Sequence, residues 1–72
     1  MKKVEVTWID AADDTEVSLA KITNSKDFLV ERTTIGWLAV EDKDGVVLIR
    51  DMDQDKDCEI CAIPKRMLVS IK

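Results

Sequence analysis

Apolar and polar residues alternate most cleanly at the start of the chain. Val4-Glu5-Val6-Thr7-Trp8-Ile9-Asp10 puts Val4, Val6 and Trp8 on one side, the period of a half-buried strand. Ala11 to Glu16 is polar enough to be a loop. Val17-Ser18-Leu19-Ala20-Lys21-Ile22 reads either as a short strand or as one helical turn with Ser18 as its N-cap. Thr23-Asn24-Ser25-Lys26-Asp27 reads as a turn, so residues 11 to 28 form one long excursion. The pattern resumes from Leu29 to Glu41 as a long strand interrupted at Gly36, where a missing side chain permits a bend or bulge. Asp42-Lys43-Asp44-Gly45 is a hairpin signal, with glycine expected to supply a positive φ. Val46-Val47-Leu48-Ile49 is apolar on both faces, as in a central strand covered on both sides. Asp51 to Asp57 is a charged loop, and Cys58 to Ile63 is a strand stopped by Pro64, which has no amide to donate. Lys65-Arg66 makes a tight turn before a last short strand, Met67 to Ile71.

These elements amount to an all-β chain of five strands. Five short strands are best buried by curling the sheet into a small barrel, which also removes exposed edges. Valine and isoleucine dominate the apolar residues, and branched side chains suit a pleated surface better than a helix. At 72 residues the chain makes one small domain with a thin core.

Charge narrows the partner classes. A formal charge of −4 disfavours broad attraction to nucleic acid or to anionic membranes. No apolar run has the length of a membrane span, and the start turns acidic too early for a signal peptide, so a cytoplasmic protein is expected. The charge is also uneven. Eight acids and three bases lie from Glu41 to Glu59, whereas Lys2, Lys3, Lys65, Arg66 and Lys72 gather near the chain ends. Such polarity steers protein–protein encounter more than it supplies affinity.

Candidate chemistry is sparse. Cys58-Glu59-Ile60-Cys61 is a C-x-x-C, but a structural zinc site needs four ligands and the chain has no histidine and no further cysteine. Residues three apart on a strand point to opposite faces, so both thiols reach one metal only with a bend or by sharing a site between two chains. The surrounding Asp53, Asp55, Asp57 and Glu59 oppose the thiolate that redox use requires. Packing cysteines, at least one of them buried, are the expectation. Asp51-x-Asp53-x-Asp55 begins like a calcium loop, yet Lys56 and Ala62 stand where glycine and glutamate are required. Without histidine, a Gly-rich phosphate loop or a Ser- or Cys-centred motif, no catalytic residue, metal or cofactor is assigned and an enzyme is not expected. Trp8 and Trp37 read first as core residues and second as interface anchors. The remaining candidates for partner contact are Asp51, Asp53, Asp55 and Asp57 on the acidic side, and Lys65 and Arg66 on the basic side.

Ile35-Gly36-Trp37-Leu38-Ala39-Val40-Glu41-Asp42, then Val46-Val47-Leu48, then Ile63 to Ile71 is similar in layout to the SH3-like and Sm-like small barrels. In those folds a one-turn 3₁₀ helix precedes the last strand. Val6 to Asp10, Gly36 to Asp42 and Ile63 to Lys65 also resemble segments of small proteins of tailed bacteriophages. The resemblance implies a phage accessory protein in the host cytoplasm that binds a host or phage protein. The alternative it implies is an Hfq-like, Sm-like homo-oligomer that binds RNA. An Sm-like RNA pocket calls for asparagine before the apolar strand and an Arg-Gly or similar basic element later, where this chain has Gly45 and Ile63-Pro64-Lys65-Arg66. A third reading has the acidic loops imitate nucleic-acid phosphate.

Overall fold

A computed structural model describes residues 1–13 and 15–72. Asp14, which belongs to the loop expected over residues 11 to 16, lies outside the described residues. The chain is all-β. Its strands are β1 (Lys2–Asp10), β2 (Val30–Glu41), β3 (Gly45–Met52), β4 (Cys58–Pro64) and β5 (Leu68–Ile71). They form one antiparallel sheet in the order β4-β3-β2-β1-β5. Between β1 and β2 the backbone makes two short 3₁₀ turns, Leu19–Lys21 and Ser25–Phe28. Ser18 stands at the first N-cap without a side-chain bond, so the expected cap is not made. At the second, Asn24 Oδ1 accepts from the Asp27 N–H at 3.3 Å.

The connection from β4 to β5 forces the sheet to curl. These are its two edge strands, about 19 Å apart in a flat five-stranded sheet. Only the 3₁₀ turn Lys65–Met67 joins them, with a rise of roughly 2 Å per residue. The edges must therefore approach at this end, and the Lys65 N–H anchors the turn by donating to the Asp44 carbonyl at 2.9 Å. The inner side of the curl holds the core: Val4 and Val6 of β1, Val46 and Leu48 of β3, and Ile63 of β4, with Trp8, Leu38, Cys61, Met67 and Leu68 packed around them. The Trp8 indole N–H points inward and donates to Thr34 Oγ1 at 3.0 Å. The molecule is nevertheless elongated, 51 × 23 × 18 Å. Its radius of gyration is 15.5 Å, whereas a compact chain of this length has about 11 Å.

Two local expectations need correction. The extra residue in β2 is Ala39, between the Leu38–Leu48 and Val40–Val47 pairs, not Gly36, which stays in register with Val4. Gly36 is required for space instead: a β-carbon there would lie 2.7 Å from the Ile49 carbonyl oxygen and 3.2 Å from Leu48 Cβ. β3 also runs on through Asp51 and Met52, which pair with Glu59 and Cys58, so the charged loop begins only at Asp53.

Candidate functional site

Each strand of the curl has an outer side, and along Ile35 to Val40 of β2 and its partners on β3 and β4 that side is apolar. The bulge at Ala39 determines which residues reach it. Gly36 and Leu38 face inward, so Ile35 and Trp37 face outward. The extra residue then turns Val40 outward too, opposite Val47. Two cross-strand rows result. Trp37, Ile49 and Ile60 are successive partners across β2, β3 and β4, and Val40, Val47 and Ala62 form the next row. Ile35 (55% exposed), Ile60 (51%), Trp37 (46%) and Val40 (45%) stand open to solvent, whereas Ile49 is almost covered by its neighbours. Val40, Val47, Ala62 and Pro64 line one shallow groove on this side, and Met1, Trp37, Ile49 and Met52 line another.

This arrangement revises two expectations. β3 is only partly covered on its outer side: Ile49 is almost covered by its neighbours, whereas Val47 remains half-buried. Trp37 is not a core residue; its ring lies on the outer side with Lys3 Nζ 5.9 Å from the ring centroid, within cation–π range. The sequence held the signal in the doubly apolar run Val46 to Ile49, since a strand with two apolar faces asks for two covers.

The acidic candidates separate in space and in role. Asp51 sits on β3 opposite Glu59. Asp53 organises the β3–β4 turn: its Oδ1 accepts from the N–H groups of Asp55 (2.9 Å) and Asp57 (3.0 Å). Asp55 and Asp57 are exposed at this tip, and Lys56 takes a left-handed φ of 69°. Arg50 on the neighbouring bulge pairs with Glu59 at 3.2 Å. Lys65 and Arg66 are exposed in the last 3₁₀ turn, near the β2–β3 turn rather than near this tip. Cys58 is exposed, while Cys61 is half-buried against the core. Among the described residues no group of three or more Asp, Glu, Cys or His is arranged to hold a metal ion, and no helix is long and apolar enough to cross a membrane.

Fold and surface together define a small all-β protein, one curled five-stranded antiparallel sheet with an apolar outer side. No protein-family model, curated protein or solved structure matches the chain.

Proposed function

We propose that the protein is a non-catalytic binding module that acts by holding another protein, in keeping with a phage accessory factor directed at a host or phage component. The exposed Trp37, Ile60, Ile35 and Val40 on the outer side carry this reading. Apolar side chains left open together on one side of a sheet are where a partner can bury them, and tryptophan is favoured where binding energy concentrates. The test is site-specific photo-crosslinking in bacterial cells that produce the protein. Benzoylphenylalanine is placed in turn at Ile60 on the outer side and at Val69 on the opposite edge strand. A discrete protein adduct from position 60 is the expected result; no adduct from either position removes the reading.

The order β4-β3-β2-β1-β5 with a 3₁₀ turn before the last strand supports an SH3-like or Sm-like layout. It also keeps the Sm-like RNA-binding ring as a second reading, with Lys65 and Arg66 as its phosphate contacts. Mass in solution separates the two, because a ring contains several copies and a binding module one or two.

A further inference from the structure

We propose that the open edge of β2 between Glu31 and Ile35 binds an extended segment of a partner protein as an added antiparallel strand, with a lysine or arginine of that segment opposite Glu31. This gives a conformation to the partner of the binding-module reading and rests on that reading. The backbone pattern locates the edge. Glu5 and Lys72 exchange both N–H···O bonds, at 3.0 and 2.9 Å, so the Glu5 N–H and C=O point to β5 and away from β2. β1 and β2 keep one register from Lys2–Leu38 to Asp10–Val30, and along an antiparallel ladder this direction alternates residue by residue. Thr34 and Arg32 therefore bond to β1, whereas Ile35, Thr33 and Glu31 turn their N–H and C=O groups the other way. β3 does not meet them there. Its pairing with β2 ends at Trp37–Ile49, and beyond Ile49 it follows β4 through Asp51 and Met52. Among the described residues, no backbone bond outside the strand ladders reaches these three either.

Such an edge accepts a strand, because an extended chain presents N–H and C=O groups at the matching spacing. Glu31-Arg32-Thr33-Thr34-Ile35 also lacks the devices that protect an edge: it has no proline, glycine or lysine, and Arg32 is tied to Asp10 at 2.7 Å. The free side of β4 carries Glu59 and Pro64, and β5 is only four residues long. Charge selects the occupant. Glu31 is exposed and has no ion pair among the described residues, and opposite charges directly across a strand pair attract. Ile35, 55% exposed, lies on the same side of β2 and calls for an apolar residue at the other end of the segment. The β2 of a second copy fits poorly. Because only Glu31, Thr33 and Ile35 face the edge, two antiparallel copies must pair about a single residue. Centring on Glu31 or Arg32 sets like charges opposite each other. Centring on Thr33 puts Leu29 of the copy where Ile49 already pairs with Trp37.

The probe is a synthetic peptide containing Val-Thr-Val-Thr-Lys, whose valines and lysine lie opposite Ile35, Thr33 and Glu31 in the antiparallel sense. One comparison peptide is N-methylated at the valines and lysine, whose amides point at β2. A second is N-methylated at the threonines, whose amides point away, and a third has glutamate in place of lysine. Amide hydrogen exchange is followed residue by residue on the full chain. In the free chain, the amides of Arg32 and Thr34 should be protected and those of Glu31, Thr33 and Ile35 open. Saturating peptide should slow exchange of the open three at least fivefold, with a Kd on the order of 0.1–1 mM. The threonine-methylated peptide should act like the parent, and the valine- and lysine-methylated one should give no protection. The glutamate peptide should bind several-fold more weakly at low salt, and Glu31→Gln should erase that difference. Five results overturn the proposal: the three amides already protected in the free chain, no protection at several millimolar peptide, equal action of the two N-methylated peptides, equal binding of the lysine and glutamate peptides, or protection that rises with the concentration of the chain alone, which marks a second copy as the occupant. A protein adduct from position 60 alongside any of these leaves the binding-module reading standing and removes only the added strand.

Discussion

At Gly36 the concave side of β2 meets the backbone of β3 so closely that any side chain must displace the Ile49 carbonyl, a rigid backbone atom rather than a movable side chain. Relief would have to come from opening the curl itself. Gly36→Ala should therefore cost about 1–3 kcal/mol, the range for overpacking a tight core, read as a lower urea midpoint. That is a large share of the roughly 4–10 kcal/mol expected for a chain this long. Gly45 is equally confined, because a β-carbon there would run into the Ile63 carbonyl. The glycine was expected to serve the hairpin through positive φ. The structure adds a second reason, contact between β3 and β4, which no local turn rule could have disclosed.

Elements were legible wherever a strand has two unlike faces. Val4, Val6 and Trp8 alternate with polar neighbours, and β1 formed where that alternation placed it. Between residues 11 and 28 there is no period, and the sequence left strand and helical turn open; two 3₁₀ turns resolved it. The outer surface was missed because the interruption of β2 was expected at Gly36, just before Trp37, whereas the extra residue is Ala39, which has no sequence mark of its own. The β3–β4 turn shows the same limit. Its aspartates look equivalent in sequence, yet only Asp53 holds the turn, through two backbone N–H groups. Asp53→Ala should cost about 1 kcal/mol in chemical denaturation, whereas Asp55→Ala should be close to neutral. Lys56→Gly should raise stability by about 0.5 kcal/mol by relieving a left-handed backbone, net of the added freedom of the unfolded chain. Neutralising all the loop acids at once would thus confound a lost partner with a loosened turn, and Asp53 is best kept in any such variant.

For the molecule as a whole, the acidic stretch has consequences for stability even without a partner. Among the described residues the surface ion pairs, Arg32–Asp10 at 2.7 Å and Arg50–Glu59 at 3.2 Å, join exposed or half-exposed side chains and each contributes little. Against them stand the acids of the β3–β4 tip, held within a few residues of one another by the turn that Asp53 closes. Unfolding separates these charges, so their repulsion destabilises the folded chain, and salt should lessen it. Raising NaCl from about 20 to about 300 mM shortens the screening length from roughly 20 Å to below 8 Å, and the melting temperature should rise by a few degrees. Asp55→Asn with Asp57→Asn should shrink that salt response while raising the low-salt melting temperature. A fall in melting temperature with added salt would mean that the two surface pairs outweigh the tip.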